Sequence, residues 1–409
     1  MSSLKYWIWL SSIYGLGAAK TQTLLEHFGA ADKVYNAAPG EYKAAAGIKA
    51  ADIDKLSNKN LDRANEVLDS CARIGCRIVT IQDAEYPDRL KNIYDPPIIL
   101  YISGTLPPVD EVPVVAIVGT RNCTTYGLKT AESISYQLAQ SGFIIATGLA
   151  KGVDTAAARG ALNAGGQVIG VIGSGIDVIY PPENKSLFAA VAKSGAIVSE
   201  YPPGTAAKAA HFPLRNRIIS GFSLGVAVIE APLRSGALIT ASRALEQGRD
   251  VFALPGNIDM KSNEGSNMLL REGAIPFMSA DHIISEYAQL FPDKISQQAH
   301  ARRVSHSNKS TEGSAATNLS SERDNSGSGK KEIDNLYEVE YIDIDKIPDV
   351  LSGDERIVAE TIGRAVMHID EIVANSGMTA SQVLTALTML EIKGHVSCGS
   401  GKHYKLIMI

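Results

Sequence analysis

Seven short apolar runs constrain this chain more than anything else in it. They are VVAIVG (114–119), FIIATG (143–148), VIGVIG (168–173), AIVSE (196–200), GVAVIE (225–230), DVFAL (250–254) and AIPFM (274–278). Each is continuous rather than alternating in polarity, as a strand buried on both faces requires. Helical periods fill most of the gaps, at 127–140, 153–164 and 238–247. Strands alternating with helices predict an α/β fold built on a doubly wound, mostly parallel sheet.

The rest of the chain is organised around that block. A length of 409 residues suits two to four domains. Residues 1–80 read as helical, with Leu24, Leu25 and Phe28 on one apolar face and a short strand, RIVTI, at the end. Six prolines (Pro87, Pro96, Pro97, Pro107, Pro108, Pro113) crowd residues 86–113 and mark a boundary. Residues 295–334 are rich in Ser, Asn and Gly, have no apolar period and predict a disordered linker. Its GSGKK mimics the end of a P-loop, but no strand precedes it and no Ser or Thr follows. After it, DERIVAETIG, HIDEIVANSG and TASQVLTALTMLEIKG have helical periods, and HVSCGSGKHYKL reads as strand, glycine turn, strand. That order predicts a winged helix. The expected domains are therefore 1–80, 81–290, a linker at 291–350, and 351–409.

Composition excludes several classes. No stretch of about 18 apolar residues occurs, so no membrane span is expected. The N-terminal patch lacks a small-residue cleavage site, so no secretory signal is expected either. Cys71, Cys76, Cys123 and Cys398 lack zinc spacing and fit a reducing cytoplasm. The net charge is −5, so any polyanion site must be a local cluster.

Ligands of parallel α/β sheets bind at the carboxyl ends of strands. The residues found there include Gly119-Thr120-Arg121-Asn122, Thr147 to Gly152, Gly173-Ser174-Gly175 and Glu230 to Gly236, with bases at Arg121, Lys151 and Arg234. Glycines, hydroxyls and cations at helix starts suit phosphate, although glycine also serves plain turns. Gly173-x-Gly175 is a partial dinucleotide fingerprint with Val178 where a third glycine belongs, so no nicotinamide or flavin cofactor is expected. Asp154 reads as a carboxylate at a helix N-terminus. Glu200 and Glu230 end strands without a spacing that pairs them, and His211 stands alone, so no catalytic constellation is legible. The stretch KAAHFPLRNR (208–217) places Lys208, Arg215 and Arg217 around Phe212. Cations plus a ring suit an unpaired nucleic-acid strand, and a solvated basic turn with a core Phe reads equally well. A G-x-G turn in IYGLGAAK fits a phosphate-presenting helical hairpin or an ordinary turn. The tail's candidate recognition helix has no Arg or Lys before Lys393, which leaves DNA and protein both open as its partner.

These motifs resemble the DprA family, also called Smf, the bacterial DNA-processing proteins of natural transformation. The resemblance runs from YPDRLKNIYDPPIILYISG (86–104) through VAIVGTRNCTTYG, TGLAKGVDTAAARGAL, GSGIDVIYPPEN, SEYPPGT, HFPLRNRIISG, VIEAPLRSGALITA, ALEQGRDVFALPG and EGSNMLLREGA. It implies an extended Rossmann-like core, a helical SAM-like N-terminal domain and a C-terminal winged helix. It further implies a cytoplasmic, non-catalytic homodimer that binds incoming single-stranded DNA. Such a protein loads the recombinase RecA onto strands covered by single-strand binding protein, without a metal or cofactor. By the resemblance, Gly119, Thr120 and Arg121 contact phosphate and Phe212 stacks on a base. Arg215 and Arg217 line the same pocket, Ser235 and Gly236 close its far side, and Lys151 and Lys208 add charge. The chain departs from the family's usual pattern at Thr147, Lys151 and Ala158, which stand where Ser, Arg and His are common, and at Ser242, where Arg is. Lys151 keeps the charge without the bidentate fork of an arginine. The alternative is a Rossmann enzyme that binds nucleotides or hydrolyses nucleoside monophosphates. Those carry P-G-G-x-G-T-x-x-E, whereas PLRSGALITA here lacks the paired glycines and the acid.

Overall fold

The computed structural model describes residues 3–295, 351, 353–362, 367–393, 395–399 and 403–406. From residue 296 onward, the expected linker lies outside the described residues. Two compact units are present, one within residues 1–314 and one within 315–409.

The first unit opens with five helices: α1 (Leu4–Ser12), α2 (Ala18–Phe28), α3 (Ala31–Asn36), α4 (Ala50–Ser57) and α5 (Asp62–Ile74). They bury Leu24, Val34, Leu56 and Val67 in one cluster. Nine strands follow in one sheet: β1 (Arg77–Thr80), β2 (Ile99–Gly104), β3 (Val114–Val118), β4 (Ile144–Thr147), β5 (Val168–Ile172), β6 (Ala196–Ser199), β7 (Gly225–Val228), β8 (Asp250–Ala253) and β9 (Ile275–Pro276). Their order across the sheet is β1-β2-β6-β5-β4-β3-β7-β8-β9. The strands from β6 to β9 are parallel, while β1 and β2 join one edge antiparallel.

Strand β2 corrects the reading of the proline-rich segment as boundary alone. Prolines flank Ile98–Ile102 but do not interrupt it, so the apolar run is free to pair. Its residues face two ways. Leu100 and Ile102 enter the sheet's main core, whereas Ile99 and Tyr101 join the helical cluster. The helical segment is thereby fastened to the sheet edge.

The continuous polarity of the central strands has the expected cause. Val115 and Ile117 of β3 pack against helices α7 (Thr125–Gln140) and α8 (Val153–Asn163). Val114, Ala116 and Val118 pack on the other face. That face is covered by α6 (Asp88–Lys91), α10 (His211–Phe222), α11 (Gly236–Glu246) and α12 (Glu264–Arg271). Helices α9 (Lys185–Ser194) and α13 (Ala280–Tyr287) complete the first face.

The second unit holds α14 (Gly353–Ile362), α15 (Ile369–Ser376) and α16 (Ala380–Ile392), with β10 (Met367–His368), β11 (Val396–Gly399) and β12 (His403–Leu406). The three strands form an antiparallel sheet in the order β10-β12-β11. Thr379 caps α16 in a reciprocal box with Gln382, and Val358, Ile372, Leu387 and Leu390 fill the core. Three helices and a hairpin in this order are the expected winged helix. Its Lys393 is committed to an ion pair with the buried Glu355 at 2.8 Å.

Candidate nucleic-acid interface

The chain runs from β3 outward through β4, β5 and β6, then returns to lay β7 on the other side of β3. The loops after β3 and β7 therefore diverge, leaving a crevice at the strands' carboxyl ends. A cavity of about 500 Å³ lies in that crevice. Gly119, Thr120 and Arg121 come to it from β3, and Arg234, Ser235 and Gly236 from the loop after β7. Phe212, Arg215 and Asn216 of α10 form another wall.

Local chemistry fixes each wall. Gly119 is required because a Cβ there would lie 2.6 Å from Val153 Cγ2, so the β3 turn can rest on α8 only without a side chain. Thr120 N–H donates to the Glu230 carbonyl at 2.7 Å, tying the two loops together. The Glu230 carboxylate accepts from Thr124 N at 2.9 Å and Thr124 Oγ1 at 2.5 Å, bracing the start of α7. Ser235 caps α11 by accepting from Ala237 N at 3.2 Å, and the space beside Gly236 is open. The turn after β4 carries strain. Leu149 holds φ at 52°, a conformation side chains rarely adopt, with its side chain buried and its carbonyl accepting from Asn184 Nδ2 at 3.0 Å.

Helix α10 begins where the sequence suggested only a basic stretch. Pro213 falls in its first turn, where the missing N–H has no intrahelical partner to lose. Phe212 is half-buried, with the exposed Arg121 guanidinium 5.2 Å from its ring centroid and Tyr180 5.6 Å away. His211 stacks on Tyr201 at 4.2 Å and places Nδ1 3.0 Å from the Gly173 carbonyl, a packing role.

Arg215 is only 4% exposed. Its Nη1 donates to the carbonyls of Gly148 (2.9 Å) and Val171. The Arg215 guanidinium and the Asp154 carboxylate both lie within 2.7 Å of where a Gly148 Cβ would stand, leaving no room for one. Burial pulls Arg215 down to about 10, so it stays charged at neutral pH. Burial likewise raises Asp154, against the opposing pull of Arg215, two backbone N–H groups and Arg121. Arg215 thus lies beneath the cavity as a fixed positive floor.

Arg217 does not share the cavity, contrary to expectation. Two residues on a helix are about 200° apart, so Arg215 and Arg217 face opposite ways. Arg217 donates to Asp95 Oδ2 (2.9 Å) and Glu200 Oε1 (2.7 Å), beside the helical segment. Lys208 is exposed, and its neighbours Ala207 and Ala209 line the cavity in its place. Lys151 lines an adjoining cavity of about 550 Å³ that shares Arg121 and adds Arg159. Arg234 was visible in sequence as a base after a strand. Nothing in the local pattern drew attention to Arg159, Asn216 or Tyr180.

Residues 77–288 match the family model described as DNA recombination-mediator protein A, and residues 345–402 match the DprA winged helix domain. The chain belongs to the DprA/Smf family. Protein Smf of Synechocystis is 31% identical over 408 residues, covering 99% of each chain. DNA processing protein DprA of Streptococcus pneumoniae is 45% identical over 208 residues, covering 51% of this chain and 73% of its own. The X-ray structure of the S. pneumoniae DprA superposes with a TM-score of 0.62 at 36% identity, covering 70% of this chain and 99% of that one. The cavity residues named above, from Gly119 to Gly236, all lie within residues 77–288.

Proposed function

We propose that this chain is a single-stranded DNA-binding recombination mediator that protects incoming DNA and loads RecA during natural transformation. The observation that carries the reading is the Arg121 guanidinium over the Phe212 ring at the cavity rim. A cation and a ring match the phosphate and base of one unpaired nucleotide. A base stacking on Phe212 displaces Arg121 from the ring and frees it to meet the adjacent phosphate. Arg234 and the hydroxyls of Thr120 and Ser235 hold the neighbouring phosphate, while Arg215 biases the floor toward anions from below. Lys151 and Arg159 continue the cationic track into the second cavity. Duplex DNA hides its base faces and gains only the charge. Asp154 is spent on Gly148, Ala150 and the field of Arg215, which supports a binding rather than a catalytic site. RecA, single-strand binding protein and a second copy of the chain are the partners in this reading, on the strength of family membership.

The test is anisotropy titration of a labelled single-stranded oligonucleotide. Phe212→Ala should weaken binding by about 1–3 kcal/mol, roughly 5- to 150-fold. Combining it with Arg121→Ala should remove the preference for single strands over duplex. Unchanged affinity in the double variant rejects the site.

A further inference from the structure

Helix α5 ends in two nested hydrogen bonds. Gly75 takes the left-handed conformation, with φ 68°. Its N–H donates to the Ala72 carbonyl at 3.5 Å, and the Cys76 N–H donates to the Cys71 carbonyl at 2.9 Å. This is a Schellman motif. It folds the residue after the glycine back over the last turn, onto the side chain of the residue that accepts the outer bond. That contact is ordinarily between two apolar side chains. In this chain both are cysteines, each with a free thiol.

We propose that Cys71 and Cys76 form a vicinal dithiol that closes to an intramolecular disulfide when the protein meets hydrogen peroxide. The geometry divides the roles. Cys76 is partly exposed and is the thiol an oxidant reaches, while Cys71 is buried at 3% exposure and resolves the first product. Both pack into the helical cluster beside Tyr101, and the Cys76 thiol donates to the Arg77 carbonyl at 3.3 Å. A hydrogen bond between the thiols holds Cys76 below the ordinary thiol range and Cys71 above it, which favours the same order.

The chemistry balances. The Cys76 thiolate attacks one peroxide oxygen, the O–O bond breaks, and hydroxide leaves and takes up a proton as water. Cys76 is then a sulfenic acid. The Cys71 sulfur attacks the Cys76 sulfur, the S–O bond breaks, and a second water departs with the proton of Cys71. Two thiols are oxidised by two electrons and one peroxide is reduced by two. Two external thiols reverse the change by exchange. The closed bond would join the last turn of α5 to the start of β1, the sheet-edge strand beside β2. The corner between the helical segment and the sheet then becomes covalent. A dithiol of this kind fits a reducing compartment, where disulfides are transient and redox-sensing.

The full-length, unsubstituted protein should be treated with hydrogen peroxide, blocked with N-ethylmaleimide and cut with trypsin. Arg73 lies between the two cysteines, so they fall on separate peptides, residues 64–73 and 74–77. The expected product is those two peptides joined, lighter by two hydrogen atoms than their sum and separated by dithiothreitol. Cys76→Ser should abolish it and leave Cys71 as a blocked thiol. Cys76 sulfinic acid with Cys71 still a thiol would overturn the proposal, and so would linkage of either cysteine to Cys123 or Cys398. No variant has to fold for the unsubstituted protein to decide between these products.

Discussion

Two arginines beside the same cavity have different consequences when removed. Arg121 is exposed and its loss leaves nothing buried behind it. Arg215 is buried with two carbonyls and the Asp154 carboxylate as neighbours. Arg215→Leu should therefore lower stability by about 3–5 kcal/mol, because it strands a buried carboxylate. Arg121→Ala should leave the urea midpoint unchanged while weakening single-strand binding. Equal effects of the two substitutions on stability would show that Arg215 is not part of the folded floor.

Helix α10 separates two jobs by its faces. Phe212, Arg215 and Asn216 line the cavity, whereas Arg217 clamps Asp95 and Glu200 on the opposite side. Arg217→Ala should cost roughly 1.5–3 kcal/mol, since its hydrogen bonds are charged. Single-strand affinity of the folded variant should stay within about twofold, which anisotropy below the unfolding transition would check. In the helical segment, Lys20 donates to Asp52 Oδ2 at 2.7 Å and the Lys49 N–H donates at 3.1 Å. The Lys20 bond, then the Lys49 bond, holds the Asp52 carboxyl below its ordinary value. A depressed folded pKa means the stabilisation is present above the unfolded value, about 4, and is lost as pH falls through the folded one. Asp52→Asn should thus lower the urea midpoint at neutral pH, and the difference should shrink steadily as pH falls below about 4. A gap that persists in acid rejects the role of the ion pair.

For the whole molecule the question is how a chain of net charge −5 would hold the polyanion proposed above. Arg121, Lys151, Arg159 and Arg234 are exposed and line two adjoining cavities, whose acidic lining residues are the buried Asp154 in one and the exposed Glu183 in the other. If three or four of them meet phosphate, log affinity should fall with log salt at a slope of roughly −2 to −3. Removing Arg234 should lessen that slope by about 0.7. A slope near zero across a salt series would mean that the cavities do not hold the backbone. Among the described residues no helix is long and apolar enough to cross a membrane.

The amino-acid pattern alone determined β1 and the strands from β3 to β9, the glycines and cations that end several of them, the helical start of the chain and the winged helix. Each is local, set by polarity period and turn chemistry over a few residues. Only tertiary structure decided that β7 returns beside β3, because strand pairing is long-range and leaves no mark on either partner. That pairing opens the crevice and gathers Arg121, Phe212 and Ser235 from far-apart stretches. Tertiary packing also drew β2 into the sheet from between prolines, sank Arg215 beneath the cavity and set Arg217 against Asp95 and Glu200. The two arginine side chains read alike in sequence, and the 100° step of a helix is what makes one a floor and the other a clamp.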